Sequence, residues 1–219
     1  MMAIRRRDGL LLPSILPAAL AVAALVLLAM VAGRFATHHS FGYFTRDPAQ
    51  VTGEHEYLGF VSFFGLFGWC AGAVSLAFGA LAAHLRGDDR IRNALAVGAA
   101  AVAYLMLDDA LLLHDSLYER IGVSDKITEP VYAIVVVALL VRGWWLVKET
   151  AWPVLTLAGG LFAVSVASDL LTDNLRYVGI EDSFKFLAIA ILAAYCAMTA
   201  SGQIRALASR GPSIYADTG

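Results

Sequence analysis

A chain of 219 residues that is 59% hydrophobic and 16% charged, with a mean hydropathy of +0.70, has too little polar surface for a soluble domain of its size. Its formal net charge of −2 gives no basic surface for a nucleic-acid partner. Cys70 and Cys196 lie in apolar runs without CxxC or metal-type spacing, so they read as small buried hydrophobes.

These features predict an all-α fold, an integral membrane bundle of six transmembrane helices in one polytopic domain. A span requires about 20 predominantly apolar residues. The first falls at residues 10–31, behind Arg5, Arg6 and Arg7. Its apolar run exceeds the roughly 7 to 15 residues of a signal-peptide core, which favours an uncleaved helix. An outer loop at 34–56 follows, with His38, His39 and His55 near Phe41, Tyr43 and Phe44. The second span, 57–83, carries no charge, and its glycines indicate close helix packing. The third is expected at 94–118 and holds Asp108 and Asp109. The fourth, 130–148, carries Arg142 near one end, where a long side chain snorkels to water. The fifth covers 152–172; Pro130 and Pro153 sit where a first helical turn accepts proline. The sixth, 182–200, leads into a tail at 201–219.

Basic residues set the orientation. With both termini cytoplasmic, 10 Lys and Arg fall inside and 6 outside, as the positive-inside rule expects. Trp144, Trp145 and Trp152 then form an aromatic belt at the inner face. The acids divide the other way: 5 inside and 13 outside or in the outer ends of helices. Acidic residues contribute little to topology, so this second asymmetry points to function.

At 100° per residue, Tyr104, Asp108, Asp115 and Glu119 share one side of the third helix if it continues that far. Asp109 and His114 face other neighbours. Ser165, Asp169 and Asp173 follow at i, i+4 and i+8 on the fifth helix, and Glu181 and Asp182 sit one turn before Lys185 on the sixth. At about 1.5 Å per residue, Asp108 and Asp169 lie about 22 to 26 Å across a hydrocarbon layer of about 30 Å. Lys185 reaches the same level from the opposite side. Three helices thus line one outward-facing polar cavity, and ionisable groups at membrane depth are rare unless paired or functional.

Three chemistries can use such a site. A divalent metal, with zinc, manganese or iron as candidates, suits a carboxylate-rich set with one histidine. Its ligands would be Asp108, His114, Asp115, Asp169, Asp173, Glu181 and Asp182. His114, as ligand or base, and Asp109 would be the catalytic residues, with Tyr104, Glu119, Ser165 and Lys185 lining the cavity. That arrangement would hydrolyse a lipid-like substrate in a bacterial-type plasma membrane. No HExxH, HxxxH or ExxH pair accompanies it. The second chemistry is proton or cation transport, although the inner halves of the third, fifth and sixth helices are dry. The third is a non-catalytic accessory or sensory role, with the outer loop meeting a partner. In every case the bilayer is the principal partner.

The stretch Leu107-Asp108-Asp109 to Leu113-His114-Asp115, followed by Glu181-Asp182-Ser183-Phe184-Lys185, resembles a pattern in uncharacterised bacterial multi-pass membrane proteins. That resemblance spans the third to sixth helices and implies the fold. A more distant resemblance is to alkaline-ceramidase-like membrane hydrolases, which combine a membrane Ser, an Asp and several His around zinc. Ser62, Asp108 or Asp109, and His114 match the first part of that pattern. The paired histidines of its last helix have no counterpart in the sixth helix.

Overall fold

A computed structural model of the chain describes residues 24, 27–29, 31–40, 52–53, 59–113, 118–120, 122, 125–171 and 178–209. The chain forms two compact units, Met1–Leu58 and Gly59–Gly219. In the first, the described residues include an apolar helix, α1 (Leu27–Thr37). It closes on a hydrogen bond of 3.1 Å from the His38 N–H to the Arg34 carbonyl, with His38 at a left-handed φ of 59°.

The second unit contains helices and turns and, among the described residues, no strand. Helix α2 (Phe60–Leu85) follows Gly59, whose φ of 70° favours a residue without Cβ. Three residues turn the chain into α3 (Asp89–Leu111), where Asp88 caps the helix by accepting the Ile91 N–H at 3.1 Å. Helix α3 stops earlier than residue 118, the end expected from its apolar pattern. Leu112 adopts a left-handed φ of 49° and returns its N–H to the Asp108 carbonyl. Glu119 lies in a further short helical element, Tyr118–Arg120, and residues 114–117 lie outside the described residues.

Helix α4 (Asp125–Arg142) begins before Pro130, so this proline lies inside the helix and not in its first turn. Gly143 separates α4 from the single turn Trp144–Val147, which divides the continuous fourth helix expected at 130–148. Helix α5 (Trp152–Leu171) places Pro153 at its second position, where the missing N–H costs no internal hydrogen bond. Helix α6 (Val178–Ala208) extends beyond the expected 182–200 at both ends.

Three of these helices are long and apolar enough to cross a membrane: α2, α3 and the Glu181–Ala208 portion of α6. The apolar portions of the others, Leu27–Thr37, Pro130–Arg142 and Trp152–Ser168, are shorter. Helix α2 packs against α3 and α6, and α6 packs against α5 as well. Trp69, Leu76 and Ala80 of α2 meet Leu95 and Val102 of α3 and Ile189 and Cys196 of α6 in the core. Backbones approach closely there. A Cβ at Gly68 would stand 2.7 Å from Ile189 Cγ2, and one at Gly79 would stand 3.2 Å from Ala200 Cα. This is the small-residue contact that lets apolar helices associate without a hydrophobic driving force.

Large apolar side chains cover the outside, including Phe60, Phe67 and Phe78 on α2 and Ile134, Val137 and Val141 on α4. Large exposed apolar side chains in this number suit lipid, not water. One end of the bundle is tied together by polar contacts. Arg86 donates to the Gln203 carbonyl at 2.9 Å and to its side-chain oxygen at 2.5 Å. The Arg90 guanidinium lies 3.9 Å above the Trp145 ring, and the Thr150 and Tyr195 hydroxyls are 2.9 Å apart. The α2–α3 turn, the Trp144–Thr150 connection and the last turns of α6 therefore share one end, rich in arginine. Asp108 and Asp109, at the end of α3, lie at the other.

Candidate functional site: two carboxylates at the end of one helix

Asp108 and Asp109 occupy the last turn of α3, which contains no basic residue. The C-terminal end of a helix carries partial negative charge, so two carboxylates there are poorly placed by the helix itself. Donors from other elements make the arrangement tenable, and they treat the two acids differently.

Asp109 turns towards α6 and α2. Lys185 Nζ lies 2.6 Å from Asp109 Oδ1, within ion-pair and hydrogen-bond range. Trp69 Nε1 donates to Asp109 Oδ2 at 3.3 Å. The indole is held by packing: it is buried in the core and stacks on Phe162 of α5, with ring centroids 5.6 Å apart. Each carboxylate oxygen thus has a donor from a different helix, one charged and one neutral. The lysine offsets the wrong-signed helix end, and the indole fixes the carboxylate plane.

Asp108 is buried, with 4% of its surface exposed, and faces α4. The Tyr132 hydroxyl donates to Asp108 Oδ1 at 2.8 Å. The Tyr104 hydroxyl is 2.9 Å from that of Tyr132 and 2.8 Å from that of Tyr118. Three phenols and a carboxylate thus form a continuous row, Tyr118, Tyr104, Tyr132, Asp108, with its ring planes turned across one another at Tyr104 and Tyr132. A phenol both donates and accepts, so the row can reverse its polarity without moving a heavy atom.

Around these two centres, Ser165 of α5 is buried and donates to the Glu181 carbonyl at 3.2 Å, joining α5 to the start of α6. Glu181 is partly buried and Asp182 is exposed. The structure therefore brings together Asp109 with Lys185, and Tyr104 with Asp108 through Tyr132. His114, Asp115 and Asp173 lie outside the described residues, as do the side chains of Glu119 and Asp169. Among the described residues, no three His, Cys, Asp or Glu side chains converge on a position that could hold a metal ion. The one-residue offset between Asp108 and Asp109 sends them to different partners and not to a common ligand.

Three participants escaped the sequence reading: Trp69, Tyr118 and Tyr132. Trp69 looks like core from its pattern, and its N–H has meaning only once Asp109 is known to face it. Tyr132 gives a weak signal, a lone hydroxyl in the aliphatic run Val131–Val137. No curated protein and no solved structure matches this chain. Residues 19–199, which include α2 to α5 and most of α6, match the family described as Domain of unknown function (DUF8692), and the chain belongs to that family.

Proposed function

We propose that this protein is a non-conducting sensory or accessory membrane protein whose outward-facing site takes up a proton, relayed along the tyrosine row to Asp108. In this reading the chain crosses a bacterial-type plasma membrane six times with both termini in the cytoplasm, the first, fourth and fifth crossings being made by its shorter apolar helices. The observation that carries the reading is the row of hydroxyls ending on Asp108, with successive oxygens 2.8, 2.9 and 2.8 Å apart. Hydroxyls at that spacing exchange protons by switching which of them donates.

The apolar core argues for uptake without passage. Below the two carboxylates, Leu76, Val102, Ile189 and Cys196 pack together as an apolar layer on the way to the arginine-rich end. A transporter usually carries polar groups or broken helices at the midplane. Lys185 and Trp69 already satisfy both oxygens of Asp109, which favours a positioning role for that pair over metal ligation.

Difference infrared spectroscopy of the protein in lipid tests this. A carboxylic-acid band that appears on acidifying the outer face and is absent in Asp108→Asn is expected, together with no proton flux in proteoliposomes. Flux above that of empty vesicles would overturn the non-conducting assignment. Stoichiometric zinc, manganese or iron in protein purified without chelator, lost in Asp108→Asn, would replace proton uptake with metal binding.

A further inference from the structure

The arginine-rich end carries a second polar feature, separate from the carboxylates. A groove of about 260 Å³ opens between the last turns of α6 and the connection from α4 to α5. Glu149, Thr150, Thr199, Gly202, Gln203 and Arg205 line it. Thr199 is 5% exposed, yet its hydroxyl has no hydrogen-bond partner. A buried hydroxyl without a partner is costly, and native structures keep few of them without a reason. Beside it, Gly202 faces open space: a Cβ there would meet nothing within 4 Å.

The other groups give the groove its chemistry. Gln203 uses its side-chain oxygen to accept from Arg86, so its NH2 remains as a donor. Arg205 donates through Nε to the Ser201 carbonyl at 3.3 Å, which leaves the two Nη groups of its fork. Hydroxyl, amide and guanidinium together favour an anion with several acceptor oxygens, and a guanidinium fork matches phosphate. Glu149, exposed beside them, supplies one negative charge that an amine would satisfy. Trp144 and Trp152, exposed in the adjoining turns, are the residues that gather at head-group level.

We infer that this groove binds the head group of an aminophospholipid, with the phosphodiester against Thr199, Gln203 and Arg205 and the ammonium against Glu149. The groove is slightly smaller than the roughly 300 Å³ of a small drug-type pocket, which suits a head group whose acyl chains remain in the bilayer. The Thr199 hydroxyl, closed off in this structure, reaches the phosphodiester by turning about its Cα–Cβ bond, and so gains an acceptor.

Native mass spectrometry of the full-length protein in detergent, titrated separately with dioleoyl phosphatidylethanolamine, dioleoyl phosphatidylglycerol and soluble phosphoethanolamine, tests the assignment. Phosphatidylethanolamine should be retained, and Gly202→Leu, which fills the groove, should weaken retention by about tenfold or more. Thr199→Val should weaken it similarly while leaving the lipid-free melting temperature unchanged or higher, because it removes an unsatisfied hydroxyl. Glu149→Gln should bring phosphatidylethanolamine down to the level of phosphatidylglycerol. Undiminished retention in both groove variants overturns the site. If Gly202→Leu does not fold, Thr199→Val alone decides. Equal binding of phosphoethanolamine overturns the lipid as its source, and equal binding of phosphatidylglycerol by the wild type overturns the role of the amine.

Discussion

Asp108 and Asp109 are adjacent in the chain and end the same helix, but one is met by a phenol and the other by a lysine and an indole. The difference arises from a rotation of about 100° between consecutive residues of a helix. That turn directs Asp109 towards α6 and α2, which are packed on the core, and Asp108 towards α4. A charged partner makes Asp109 an anchor between helices. A neutral, reversible partner is what suits Asp108 to the proton uptake proposed for it. Adjacent carboxylates are therefore not a pair by virtue of being adjacent, and what each can do is decided by the helix it faces.

The largest effect is expected at the anchor. Lys185→Met leaves Asp109 charged with only an indole donor. Breaking a fully buried pair costs about 3 to 5 kcal/mol, and this pair, with its side chains 34% and 16% exposed, should cost less than that but more than an exposed one. A steep loss in melting temperature should follow, and Asp109→Asn in the same chain should recover much of it. If the single variant melts like the wild type, the pair is peripheral and the contrast between the two acids collapses. Asp108→Asn should be milder for stability, about 1 kcal/mol, because Tyr132 can still donate to the amide oxygen. It should nevertheless abolish the infrared acid band. The reverse pattern, a large stability loss with the band retained, would exchange the roles assigned to the two residues.

Tyr132→Phe sharpens the contrast further. It removes the hydroxyl's hydrogen bonds to Tyr104 and Asp108, each worth about 1 kcal/mol, and so cuts the row between them. Protonation of Asp108 should then slow in time-resolved infrared measurements after a pH jump, while its extent at equilibrium changes less. Unaltered kinetics would show that the tyrosines do not carry the proton. The smallest effect belongs to Trp69→Phe, which keeps an aromatic ring against Phe162 and loses only the donor to Asp109. We expect a change below about 1 kcal/mol by chemical denaturation or thermal melting. A larger loss would mean that the indole, and not the lysine, holds Asp109.

Much of the helical organisation can be read directly from the residues. The charge-free run of α2, with its glycines at the α6 contact, and the apolar stretches of α3 and α6 stand out because lipid tolerates few charges and close helix packing demands small side chains. The ends of helices are harder. The pattern that extends α3 past residue 111 is sound as periodicity, but Leu112 leaves the helix through a left-handed conformation that nothing about leucine announces. Likewise Pro130 reads as the start of a helix, and only the fold shows a turn of helix preceding it.

The same division runs through the site. Sequence alone determined that acids and a lysine accumulate at one end of an apolar bundle, because hydropathy and charge are properties of the residues themselves. Helical geometry also determined that Asp108 and Asp109 must face different ways. Which donor each would meet was decided only by the tertiary structure, since Lys185 lies 76 positions from Asp109 and Tyr132 lies 24 from Asp108. Partnerships across such distances depend on which helices pack together and at what rotation, and small residues such as Gly68 set that by letting two backbones close on each other.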